Sequence, residues 1–173
     1  MAGQSEVGQG ASGGTSVLER IRGNHALEHA TVHLMVRRHP NLKVVGRTTP
    51  AGFYLHGPED SALVEESARA ALNALLAEPD LAVHQRCGTN LAVTGVLAGL
   101  AAFAAGGGRA RGRMAALPQV LLASLWAVML AQPLGMLVQK HLTTSPRVGA
   151  ASIGPIERRG GKPATHFVPV NWV

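Results

Sequence analysis

The chain has 173 residues, enough for one compact domain or for a small domain with a membrane hairpin. Hydrophobic residues make up 46% and charged residues 15%, which excludes a disordered chain and argues against a fully water-exposed globule. The formal net charge is +6, and a single cysteine excludes an intrachain disulfide, leaving a metal or a membrane as the available staple.

The charge is unevenly placed. Residues 1–88 carry eight Lys/Arg and nine Asp/Glu, whereas residues 89–173 carry eight Lys/Arg and only Glu157. The basic excess therefore lies beside the uncharged runs, as membrane flanks do. No aromatic residues interleave with the basic ones and no nucleic-acid motif is present, so nucleic acid is not expected as a partner.

Residues 1–15 are rich in Gly, Ser and Gln and read as a disordered tail with no export signal. Ser16-Val17-Leu18-Glu19 has the spacing of a capping box and starts a helix that runs to Arg38, before Pro40, with Gly23 and Asn24 as a possible interruption. Leu42–Arg47 and Phe53–His56 are short extended segments around the turn Thr49-Pro50-Ala51-Gly52. Pro58 to Ala77 is an amphipathic helix, and Leu81–His84 is a further extended segment. The order helix-strand-strand-helix-strand over residues 16–86 predicts a small α+β domain that carries a metal site.

Cys87 to Gly108 and Met114 to Gln139 contain no charged residue, and each run is long enough to span a hydrocarbon core, which takes about 20 apolar residues. Arg109-Ala110-Arg111-Gly112-Arg113 separates them, so residues 87–139 read as a two-helix transmembrane hairpin. Gly95 and Gly99, and the row Ala123, Ala127, Ala131 and Gly135, are small-residue spacings suited to close helix packing. Residues 140–173 form a basic, irregular tail, whose end, Thr165–Val173, alternates as an edge strand does. The basic residues lean towards both ends in the cytoplasm, for a multi-pass protein of a bacterial inner membrane. The partners expected are the lipid bilayer and either a second membrane protein or further copies of this chain.

The stretch from Asn24 to His33 carries the chemistry. His25 and His29 stand at i and i+4 on or beside the apolar face of the first helix, spaced to share one metal ion. His25-x-x-Glu28-His29 fits the H-x-x-E-H pattern, in which the glutamate serves a metal-bound water as general base. His84 and Cys87 add a nitrogen and a sulfur just before the first apolar run, and with His25 and His29 they make a tetrahedral N/S set. Four protein ligands make a closed structural site, whereas three leave a catalytic one open. Zinc is the default metal for such a set, with ferrous iron next. His33 lies one turn beyond the pair and is left out of the set. His39, His56, His141 and His166 have no partner spacing and read as ordinary polar residues.

The block NHALEHATVH, followed by HQRCGTNLAVTGVLAGL, resembles an uncharacterised family of bacterial membrane proteins of unknown function, over about Ile21 to Leu100. A second uncharacterised polytopic membrane family, with H-G-A-E-H-K and later H-P-R-C-G-T, is more distantly similar. The shared positions are His25, Glu28, His29, His84, Arg86, Cys87, Gly88 and Thr89, and His33 matches only the nearer family. The resemblance implies that the two blocks belong to one site, and it brings no activity with it.

Two functions from different classes remain. One is a membrane-anchored zinc hydrolase in which Glu28 activates water. The other is a non-enzymatic accessory protein with a closed structural metal site, or with a metal-free polar core.

Overall fold

The computed structural model describes residues 15–106 and 116–173. The N-terminal tail up to residue 14 and the basic turn Arg109–Arg113 lie outside these residues.

Helix α1 spans Val17–Arg38. Ser16 closes the expected capping box: its hydroxyl accepts the Glu19 N–H, and the Glu19 carboxylate accepts the Ser16 N–H. The helix runs unbroken through Gly23 and Asn24, and both are buried. Gly23 serves packing: a Cβ there would overlap the indole of Trp172. Strands β1 (Val45–Thr49) and β2 (Gly52–His56) form a hairpin. Helix α2 (Ser61–Ala77) is capped by the Asp60 carboxylate, which accepts the Ala62 N–H.

The expected extended segment Leu81–His84 is absent. Its first residues belong to a 3-10 turn, Pro79–Ala82, with Pro79 preset at its start. Helices α3 (Gly88–Gly106) and α4 (Leu117–Val138) are the two long apolar helices, and a π turn, Gln139–Thr143, extends α4. After an irregular stretch, the chain adds strands β3 (Ala151–Ile153), β4 (Glu157–Gly160) and β5 (Thr165–Trp172).

The five-stranded antiparallel sheet has the order β1-β2-β5-β3, with β4 also paired to β5. Strand β5 was expected at an edge and is instead the central strand. It takes β2 along one side, pairing Leu55 with His166, and β4 and β3 along the other. Its alternation is the reason: His166, Val168 and Val170 face the core, beside Phe53 and Leu55 of β2. Helices α1 and α2 cover this face, through Leu27, Ala30 and Met35 from α1 and Val64, Ala68, Ala71 and Leu75 from α2. The result is the small α+β domain and the pair of apolar helices expected from the sequence, with the sheet completed by the C-terminal segment.

Helices α3 and α4 pack together. Of the two small-residue spacings, one lies at the contact. Ala131 and Gly135 are buried, and a Cβ on Gly135 would overlap the Asn90 side chain. Gly95 and Gly99 are exposed, and a Cβ on either would meet nothing. A polar network closes the base of the pair. The buried Gln139 amide donates to Asn90 Oδ1 at 2.7 Å, and its Oε1 accepts the His84 N–H at 2.9 Å.

Gly23→Ala puts two effects in opposition. Removing a mid-helix glycine gains about 0.5–1 kcal/mol, while overpacking a filled contact costs roughly 1–3 kcal/mol. The Trp172 overlap decides the sign, so the variant should melt below the wild type when unfolding is followed by circular dichroism. A higher melting temperature would mean that Trp172 does not seat on α1.

Candidate metal centre

The middle of α1 points its polar residues towards four other segments. His25 Nδ1 lies 3.1 Å from the Thr143 carbonyl oxygen, and His29 Nδ1 lies 2.7 Å from the Ala82 carbonyl oxygen. A carbonyl oxygen only accepts, so each Nδ1 carries the proton and donates it. In its neutral form each ring therefore presents the lone pair of Nε2. That is how metal-binding imidazoles are commonly fixed, through the other ring nitrogen.

Both rings meet Cys87. Its Sγ lies 3.3 Å from His25 Nε2. One ligand atom each from His25, His29 and Cys87 lies within 4.8 Å of the others. The two rings are in edge contact, with centroids 4.3 Å apart. Cys87 immediately precedes α3, and its Sγ accepts the Thr89 N–H at 3.4 Å. Burial pushes the thiol up, but hydrogen bonds from Thr89 and from the imidazolium form of His29 outweigh it and hold the thiol below its ordinary value. Two imidazoles in their neutral form and a thiol biased towards thiolate would form a donor set for a transition metal.

The sequence placed His84 in the same set, but the structure does not bring it there. Its main-chain N–H is held by Gln139, and its Nδ1 accepts the Arg86 N–H at 3.1 Å. The Nδ1 lone pair is thus used locally. The ring stands beside the cluster, with its centroid 5.6 Å from that of His29 and 4.7 Å from that of His33. Burial, then the charges of His33, His29 and Arg86, push its pKa down to about 4, so it is neutral at pH 7. His33 points its Nε2 at the Val83 carbonyl, 3.2 Å away.

Glu28 is buried and lies outside the group of three donors. It lines the same cavity of about 400 Å³ as His25, His29, His84 and Cys87. Its Oε2 accepts the Thr48 hydroxyl at 2.7 Å. Burial raises its carboxyl above the ordinary value, against the Thr48 hydrogen bond and the charge of His25. The carboxylate fits because β1 has no side chain at Gly46, where a Cβ would overlap it.

Sequence reasoning missed Gly46, Thr48 and Gln139. None stands near the histidines in sequence, and none carries a motif. It also missed the contact of His166 with Ser61, whose Oγ lies 2.8 Å from His166 Nε2 at the start of α2. His166 is buried and Ser61 half-buried, and among the described residues the pair belongs to no cluster of three metal donors.

Residues 20–156 match the family described as a domain of unknown function (DUF6391). An uncharacterised protein of Picosynechococcus sp. (strain ATCC 27264 / PCC 7002 / PR-6) is 34% identical over 175 aligned positions, covering 88% of this chain and 80% of that protein. No solved structure matches the chain. The family match takes in α1 from Arg20 onwards, the segment from His84 to Cys87 and both apolar helices, and on that extent the chain belongs to the DUF6391 family.

Proposed function

We propose that this is a membrane protein that binds one zinc ion through His25, His29 and Cys87, and that it uses Glu28 as the general base of a hydrolytic reaction. The observation that carries the metal is the convergence of three donor atoms within 4.8 Å of one another, two of them with their tautomers set by backbone carbonyls. Three protein ligands, rather than the four the spacing suggests, favour an open site over a closed one. Bound there, zinc would supply Lewis acidity. Glu28, in the same cavity and with a raised pKa, is suited to accept a proton and to pass it on.

The bilayer reading rests on the apolar helices. Gly88–Gly106 and Leu117–Thr143 are long and apolar enough to cross a membrane, and little of either is buried. A core helix of a soluble protein would be mostly buried. Here Phe103 is 79% exposed and Trp126 63% exposed, a cost that lipid removes. Because β5 pairs with β2, the chain before and after the helices forms one domain. With the basic residues that flank them, this favours an inner-membrane hairpin with both ends in the cytoplasm.

A second reading has one observation in its favour. Cys87 stands at the start of α3 and the histidines stand on α1, so a metal there would also clamp the domain to the helix pair. In that case the protein would be an accessory subunit with no reaction.

Elemental analysis of the purified protein should find about one zinc per chain, lost in His25→Ala/His29→Ala and retained in His84→Ala. Loss of zinc in His84→Ala would restore the closed four-ligand set, and no zinc in the wild type would end the metal reading. Glu28→Gln should keep the zinc and lower hydrolysis of an ester-bearing amphiphile by about a hundredfold or more. If Glu28→Gln loses the zinc instead, Glu28 supports the metal and the general-base role fails. The protein should stay with carbonate-washed membranes. A monodisperse monomer in detergent-free buffer would overturn the bilayer reading.

A further inference from the structure

A second, larger cavity of about 1240 Å³ adjoins the metal centre. It exceeds the roughly 300–1,000 Å³ of ordinary small-molecule pockets. The two cavities share Val32, Val44, Val45, His84 and Arg86, so they are neighbours across a common wall. One side of the large cleft is the small domain, with Val32 and Val36 of α1 and Val44 before β1. The other side is the base of α4, with Pro133, Met136 and Leu137. The cleft is therefore bounded by one of the helices proposed to lie in lipid.

Its charged residues have one dominant sign. Lys43, Arg86 and Lys140 are exposed on the lining, and Asp80 is the one acid among the residues that form it. Asp80 is already 3.4 Å from Lys140, in an exposed pair. Lys43 and Arg86 are left for an anionic ligand.

Resting on the membrane reading above, we propose that this cleft takes a single-chain amphiphile with an anionic head from the bilayer. Its chain lies between the valines of the domain and Met136 and Leu137, and its head meets Lys43 and Arg86. A cleft lined by apolar residues and two cations matches such a ligand on both counts: apolar burial drives the chain in and the two cations fix the head. Because Arg86 and His84 line both cavities, the head group lies next to the metal centre. This makes an acyl amphiphile the substrate class of the proposed hydrolysis.

The test uses the full chain in phosphatidylcholine vesicles containing a trace of palmitate with a terminal diazirine. Photolysis is followed by mass spectrometry of the labelled peptides. Labels are expected in residues 32–45 and 133–137. Val36→Trp, which fills the cleft without touching a metal donor, should lower them by roughly tenfold. A diazirine-bearing hexadecanol should label the cleft roughly fivefold less than the acid, and Lys43→Glu should erase that preference. Lys43→Glu is a rim substitution and carries the test if Val36→Trp misfolds. Labels confined to the outer faces of α3 and α4, around Phe103 and Trp126, would overturn the proposal, as would equal labelling by acid and alcohol.

Zinc content measured on the same samples separates the two readings. Cleft labelling without zinc leaves the amphiphile site standing and removes the metal. Full zinc with outward labelling removes the amphiphile site alone.

Discussion

Four polar side chains on two turns of one helix organise this protein. Asn24, His25, Glu28 and His29 lie on the side of α1 that faces the rest of the molecule, and three of the four are buried. A buried polar group without a partner costs on the order of 1–3 kcal/mol, so each must be met by something. The partners come from separate segments. Asn24 donates to the carbonyls of Thr49 and Pro50 and accepts the Trp172 indole N–H. His25 takes the Thr143 carbonyl, Glu28 the Thr48 hydroxyl and His29 the Ala82 carbonyl. The β1–β2 turn, the 3-10 turn, the end of α4 and the last strand are all held against the same two turns of helix. Moving any one of them strands a buried donor or acceptor.

What could be read from the sequence follows the range of the interaction that fixes it. The start of α1 was legible because a capping box is complete within four residues. The pairing of His25 and His29 was legible because the helix repeat alone sets it. The place of Cys87 was legible from its resemblance block and from the change in composition that begins there. Strand β5 was legible as a strand but not as the centre of the sheet. Its alternation is local, whereas its neighbours lie more than a hundred residues away and in the preceding tail. The outward turn of Gly95 and Gly99 shows the limit of spacing arguments. A small-residue repeat says that close approach is possible on one face, and only packing says which face is used.

His84 shows how spacing and placement can part: the three donor atoms that converge are those of His25, His29 and Cys87. Its distance from Cys87 suits a ligand pair, and its ring does stand near the cluster. Two contacts hold it where it is: its main-chain N–H donates to the Gln139 side chain and its Nδ1 accepts the Arg86 N–H. The Gln139 contact could not be weighed in advance, because Gln139 comes from the far end of the second apolar helix. Gly46 is the complementary case. Its contribution is the absence of a side chain, which leaves the room that the Glu28 carboxylate occupies.

His25 is where the two apolar helices meet the domain chemically. Cys87, at the start of α3, lies against its Nε2, and Thr143, just past the end of α4, accepts from its Nδ1. One imidazole thus touches both feet of the helix pair, while Arg22, one turn earlier, donates to the carbonyls of His141 and Thr144. The feet are themselves joined through Gln139 and Asn90. The spacing of α3 and α4 at their base and the orientation of the His25 ring are therefore tied together. The sheet is held separately, with β5 paired to β2 on one side and to β3 and β4 on the other. Two donors come from α1 of the domain and one from the foot of α3, so the donor set spans the junction between the domain and the helix pair.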